Sequence, residues 1–349
     1  MSSKNANHGT SRRLLLQGGA LAASSLWLAR GARADQARGL KISHQFPASS
    51  GTDGDFRDRL ARRFAADVEK RSGGMLKVSI YPGSSLMKVN AQFGAVRKGA
   101  LDMTVLPLSY AGGEVPELNI SLIPGLVTSY EQGYSWKKAD IGRALTQLLA
   151  DKGVVLVSWI WQAGGAVSRV KPVILPDDVK GLKVRGGSRE MDLVIKAAGG
   201  ATLSFPSNET YAALQTGAAD VVTTSATSLL SFRLAEVSKH LTINKQGHSY
   251  WFMLEPLLMS KLVFDQLPKD QQQIILQVGT DMEAFALDGA RADDRAVADA
   301  YVKAGAQVHD LTDAALQKWV TLARETAWKD FAGKNASCAR FLVLAEQVK

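Results

Sequence analysis

The chain has 349 residues, 46% hydrophobic and 21% charged, with 31 Gly, 10 Pro and one Cys. That length fits two domains of roughly 100–200 residues each, with apolar material for both cores. The composition excludes a disordered chain, a collagen-like repeat and a disulfide scaffold, since Cys338 has no second cysteine to pair with.

The formal charge of +9 is unevenly spread. Lys4, Arg12, Arg13, Arg30 and Arg33 fall in the first 34 residues, which hold no acid, and the remaining 37 basic and 33 acidic residues nearly balance. No basic stripe of the kind nucleic acid requires is present, so nucleic acid is not an expected partner. Ser11-Arg-Arg-Leu-Leu-Leu-Gln17 opens a weakly apolar run to Leu28, and Ala32-Arg33-Ala34 supplies a small-x-small cleavage site. A basic start, a short apolar stretch and an Ala-x-Ala end make a secretory signal, too short for a stable membrane anchor. Its Ser-Arg-Arg-x-Leu-Leu core resembles a bacterial twin-arginine signal, which implies export after folding. The mature chain is expected to start at about Asp35 and to reside in the periplasm. No later stretch of 18 consecutive apolar residues occurs, so the mature chain is not expected to insert in a membrane.

In chain order, residues 41–46 alternate as a first strand that stops at Pro47. Thr52 or Asp53 then offers a cap for a helix to Arg71, in which Phe56, Leu60, Phe64 and Val68 form one buried stripe. Residues 75–81 read as a second strand, 91–98 as a short helix and 101–106 as a third strand before Pro107. This alternation predicts a parallel sheet covered by helices. Residues 130–151 read as one longer helix and 154–161 as a nearly continuous apolar strand. A second series follows, with a strand at 181–185, helices at 188–198 and 208–216, and a short buried strand at Val221-Val222. Residues 250–258 form another apolar strand, 269–304 one long helix, and the chain is helical from Asp313 to its end. The apolar strands at 154–161 and 250–258 bracket the second series, so a middle domain between two crossing segments, with a hinge at each, is expected.

Motifs for several enzyme classes are missing. No two glycines stand two positions apart, so the dinucleotide fingerprint is absent. Gly181 to Ser188 has P-loop spacing, but Gly187 stands where that loop needs Lys. There is no His-Glu-x-x-His and no Gly-x-Ser-x-Gly. One Cys and five His exclude a Cys-rich zinc site, and His240 and His248 fit surface or packing positions. No metal and no cofactor is expected.

Three stretches carry a resemblance. Leu175-Pro-Asp-Asp-Val-Lys-Gly-Leu-Lys-Val-Arg185 is followed by Pro206-Ser-Asn-Glu-Thr-Tyr-Ala-Ala-Leu-Gln-Thr-Gly-Ala-Ala-Asp220, and Arg97-Lys-Gly-Ala-Leu-Asp102 precedes a strand. Together they resemble the solute-binding proteins of tripartite ATP-independent periplasmic (TRAP) transporters, over essentially all of 38–340. The resemblance implies an α/β fold, a two-domain periplasmic-binding-protein clamshell with a long C-terminal helix crossing both domains. The expected division is a signal at 1–34, one domain from 35–161 plus 250–285, and a second from 162–249 plus 286–349. It also implies a receptor without catalysis that takes a small organic acid to the membrane subunits of a TRAP permease.

The family's ligand arginine matches Arg185. The assignment is physically sensible, because a strand's C-terminal end is where open α/β sheets hold ligands and a guanidinium grips a carboxylate in two-point fashion. Sialic-acid-binding members carry a second arginine where Gly165 stands here, and Thr224 occupies the place of a family asparagine that contacts ligand. Thr223 to Ser225 also fits a helix N-cap, and one residue can serve both roles. Trp161 and Gln162 fall at the first crossing, Tyr250, Trp251 and Phe252 at the return, and Phe46 ends the first strand. Such aromatics serve either as core or as pocket wall. The expected ligand contacts are Arg185, Thr224, Ser225, Trp161, Gln162, Trp251 and Phe46. An aromatic cleft with one arginine favours a monocarboxylate, aromatic or 2-oxo, with a C4-dicarboxylate as the other option. The rival readings are a sensor module with the same fold and a secreted enzyme acting on an organic acid.

Overall fold

The computed structural model describes residues 37–244 and 246–348, so the signal-like segment lies outside the described residues. Strand β1 (Arg38–His44) leads to helix α1 (Phe56–Arg71), β2 (Leu76–Tyr81), α2 (Val89–Arg97) and β3 (Met103–Val105). Helix α1 is capped by Asp55, whose side chain accepts from Arg57 N, rather than by Thr52 or Asp53. Phe56, Leu60, Phe64 and Val68 are fully buried along it, each worth about 1.5–3 kcal/mol relative to exposure.

The helix expected over 130–151 is broken into α3 (Tyr130–Ser135), a 3₁₀ turn (Trp136–Lys138) and α4 (Asp140–Asp151). Buried Trp136 sets the break. It meets Trp161 edge-on at 5.3 Å, and its carbonyl oxygen lies 2.0 Å from where a Cβ on Gly142 would stand, so α4 folds back against it.

The two long apolar strands are also divided, for a related reason. β4 (Val154–Ser158) and β5 (Trp161–Ser168) are separated by Trp159-Ile160. After β6 (Lys183–Arg185), α5 (Arg189–Ala197), β7 (Ala201–Leu203), α6 (Thr210–Thr216), β8 (Val221–Ser225), α7 (Ala226–Ser231) and β9 (His240–Ile243), the return strand splits into β10 (Phe252–Leu254) and β11 (Leu257–Ser260) around Glu255-Pro256. Each pair passes from one sheet to the other. The first sheet has the order β2-β1-β3-β11-β4, and the second contains β9, β5, β8, β6 and β7 in that order, with β10 paired to β5. A continuous apolar run in the sequence is therefore two short strands buried in two different sheets.

The chain ends with α8 (Lys261–Asp265), α9 (Lys269–Lys303), β12 (Gln307–Asp310), α10 (Asp313–Ala323), a π turn (Arg324–Trp328), α11 (Lys329–Lys334) and α12 (Ala336–Glu346). At 35 residues α9 runs about 50 Å, packing on α1 and β4 of the first layer and on β5, α7 and β12 of the second. β12 was not readable as a strand, because Gln307-Val-His-Asp310 is polar and pairs only at the sheet edge, in parallel with β9. From Gly39 on, the described residues pack together as one compact unit around both sheets. No helix among the described residues is long and apolar enough to cross a membrane. Cys338 is a free, buried thiol.

Candidate functional site

β6 and β8 run parallel, with Val184 beside Val221 and Arg185 beside Val222. Gly186-Gly187 then turns the chain into α5, which Ser188 caps by accepting from Met191 N. Gly187 has φ +96°, and a Cβ there would lie 2.9 Å from Arg185 Nη1, so the turn and the guanidinium both require glycine.

Arg185 is 2% exposed. Its Nε donates to Phe205 O at 3.0 Å, Nη1 to Thr223 O at 2.9 Å and Nη2 to the Tyr110 hydroxyl at 2.8 Å. All three acceptors are neutral. A guanidinium has five N–H donors, so one on each Nη has no acceptor among these bonds. The Tyr110 oxygen also accepts from Ser207 N at 3.0 Å, which leaves its own hydrogen to donate. The nearby Asp192 carboxyl is pushed up to about 7 by burial, with the Arg185 charge pulling the other way.

Two spaces meet at this arginine. The outer is a cleft of about 620 Å³, within the usual range for ligand sites, and its wall includes Asn90, Asn119, Asp192, Phe205 and Glu209. The inner is a small cavity of about 10 Å³, walled by Arg57, Ser207, Thr224, Ser228, Trp251 and Glu255 among others. Tyr110, Arg185 and Gly187 line both.

The inner cavity has a second charged pole. Arg57 is 1% exposed, with Nε and Nη2 on Asp55 at 2.9 and 2.6 Å, Nη1 on Glu255 at 3.0 Å, and Nη2 also on Ser228 Oγ at 3.1 Å. Two carboxylates hold its pKa above the usual arginine range against the cost of burial. Burial raises the Glu255 carboxyl, and its Oε2 also accepts from Gln162 Nε2.

Of the residues expected from sequence, Arg185, Thr224 and Trp251 stand in the inner wall, and Gln162 reaches it through Glu255. Phe46 lies one step behind, its ring 3.6 Å beneath the Arg57 guanidinium. Ser225 caps α7, accepting from Ser228 N. Trp161 is fully buried against Trp136 and Gly133. Tyr250 stacks on Trp319 at 4.8 Å and Phe252 meets Tyr130 edge-on at 5.1 Å, so among the aromatics of the crossings only Trp251 lines the cavity. At Gly165 a Cβ would lie 2.6 Å from both Thr242 O and Ile243 Cγ2, so no larger side chain fits without a shift. Tyr110, Arg57 and Glu255 were missed. The readable signal was Tyr110 in the loop after β3, where parallel strands present ligand groups.

Two sheets joined by two crossing strands, with a cleft that ends on a buried arginine whose bonded acceptors are all neutral, define a periplasmic-binding-protein clamshell. The model of bacterial extracellular solute-binding protein, family 7 (DctP), matches residues 49–334, and the chain belongs to that family. It is 60% identical over 337 residues to a solute-binding protein of Albidiferax ferrireducens, covering 96% of this chain and 99% of that one. A crystal structure of a TRAP periplasmic solute binding protein from Rhodoferax ferrireducens with bound malonate superposes with TM-score 0.87 at 62% identity, over 88% of this chain and 98% of that one. A Bordetella pertussis extracytoplasmic solute receptor binding pyroglutamic acid shares the fold at 23% identity and TM-score 0.79, over 89% of this chain and 100% of that one.

Proposed function

We propose that this TRAP-type receptor takes a short organic carboxylate onto Arg185 and carries it, without catalysis, to the membrane subunits of a TRAP permease. The carrying observation is a buried guanidinium whose bonded partners are all neutral. A buried charge is costly unless paired, and a ligand carboxylate supplies the missing partner. Tyr110 would donate its free hydrogen to the same carboxylate, and Thr224 would add a hydroxyl from β8.

A short ligand is favoured over an aromatic one, because Trp161, Tyr250 and Phe252 are committed to ring contacts with other buried side chains. The inner cavity, at about 10 Å³, has room for roughly one water, so ligand entry requires opening. We assign that motion to hinges at Trp159-Ile160 and Glu255-Pro256, where the strands change sheet, with ligand favouring the closed form. Hinges at these points place β10, which pairs with β5, in the second body, whereas the division expected from sequence put residues from 250 on in the first.

A secreted hydrolase would need a hydroxyl activated by a base. A grouping of Ser49, His44 and Asp58 is arranged otherwise, with Asp58 between His44 at 3.1 Å and the amide of Ser49 at 2.7 Å, and the Ser49 hydroxyl donating to Asp58 as well. The twin-arginine route is part of the same proposal. Arg12→Lys with Arg13→Lys should leave precursor in the cytoplasm, and unchanged periplasmic yield would remove that route.

The ligand is found by a thermal-shift screen of short organic acids, with malonate as first probe. A true ligand at 100 times its Kd stabilises by about 2.7 kcal/mol, a few degrees for a protein of this size. No shift with any carboxylate, beside a shift with neutral sugars, would overturn the reading.

A further inference from the structure

We infer that Glu255 reads the far end of the ligand and selects short carboxylates bearing a hydrogen-bond donor, a hydroxyl or N–H, over plain dicarboxylates. The inference rests on Arg185 being the seat of the ligand's carboxylate. Glu255 lines the same inner cavity as Arg185 and is fully buried. Its Oε2 is occupied by Arg57 and Gln162, while its Oε1 has no partner. Gln162 Oε1, on the amide bonded to Glu255, also lacks one. The nearest cation is already engaged, since Arg57 is bonded to Asp55, Glu255 and Ser228. One pole of the cavity therefore offers spare donors, on Arg185 and Tyr110, and the other offers a spare acceptor.

An unpaired acceptor in a water-poor wall is costly, and a ligand hydroxyl or N–H donating to Glu255 Oε1 removes that cost. A second ligand carboxylate does the reverse. It brings further acceptors to an oxygen that has no donor, while the nearest cation, Arg57, is already committed to Asp55, Glu255 and Ser228. Sites built around a buried hydrogen-bonding group reject analogues lacking its complement more strongly than apolar pockets reject an extra methylene.

The test compares 3-hydroxypropanoate with malonate, equal in carbon number and different only at the far end, by titration calorimetry at neutral pH. The native protein should bind 3-hydroxypropanoate at least about tenfold more tightly, a difference of about 1.4 kcal/mol. Glu255→Gln keeps an oxygen for Arg57 and turns a donor toward the ligand, so the preference should vanish or reverse. A native protein that binds malonate more tightly overturns the inference, and this measurement does not depend on the variant folding. A preference unchanged in a folded Glu255→Gln protein overturns it equally. Arg185→Lys separates the two readings, because it should weaken both ligands alike. If it does so while Glu255→Gln leaves the preference intact, only the role of Glu255 falls. If Arg185→Lys binds both normally, the carboxylate seat itself is misplaced.

Discussion

Arg57 and Arg185 line one small cavity, are almost equally buried, and are held in opposite ways. Arg57 has Asp55 and Glu255 as ion-pair partners, Ser228 as a further acceptor and the Phe46 ring beneath it. Arg185 has two backbone carbonyls and a phenol. The first set of contacts is complete within the chain, and the second is not. Burial by itself therefore says nothing about which cation serves the fold. The partner's charge does: an arginine balanced by carboxylates is a strut, whereas one oriented by neutral acceptors is positioned for an anion from outside.

The sharpest way to break this comparison is to remove the strut. Arg57→Met leaves Asp55 and Glu255 buried without their cation, and loss of one partner from a buried pair typically costs about 3–5 kcal/mol. Thermal unfolding without ligand should show a drop of several degrees or more. A melt like that of the native protein would mean the Asp55–Arg57–Glu255 cluster is not structural.

A smaller effect is expected at Tyr110, which touches only the second arginine. Tyr110→Phe removes the acceptor for Arg185 Nη2 and Ser207 N, together with the donor offered to ligand. Hydrogen bonds to charged groups contribute about 1.5–3 kcal/mol, so carboxylate affinity should fall roughly 10- to 150-fold in calorimetry. An unchanged Kd would show that the phenol orients nothing that matters to binding.

The smallest effect concerns pH. Asp192 is raised to about 7, so as pH climbs through that value it ionises beside Arg185 and competes with an anionic ligand. Affinity should decline modestly from pH 6 to 8 in the native protein and stay flat in Asp192→Asn. The sign for stability is the same. A carboxyl whose folded-state pKa is raised holds its proton better folded than unfolded, so its contribution weakens from about pH 4 to about 7 and stays lost above. Equal pH profiles for the two proteins would assign the titration elsewhere.

What the sequence could reveal divides along similar lines. The α1 stripe, the 35-residue α9 and the position of Arg185 at the end of a strand were legible because each follows from local periodicity or a motif. The crossing strands were legible as apolar runs, but their breaks were not, since Trp159-Ile160 and Glu255-Pro256 are set by the handover between sheets. Trp161 and Trp251 look alike in sequence. One packs on Trp136, and the other turns its indole N–H to Gly186 O and lines the cavity. Arg57 and Glu255 lie 198 positions apart, and nothing in the local pattern of either announces the other. Long-range polar pairing leaves no period to read.

The central claim is that Arg185 is held for a ligand's carboxylate, and one variant measured two ways tests it most directly. Arg185→Lys keeps the charge and loses the two-pronged donor geometry. With the acid identified by the screen, calorimetry should show a loss of about 2–5 kcal/mol, or roughly 30- to 4,000-fold in Kd. The melt without ligand should stay close to that of the native protein, in contrast to Arg57→Met. Native affinity in Arg185→Lys, or a ligand-free melt that collapses as the Arg57 variant's does, would contradict the account.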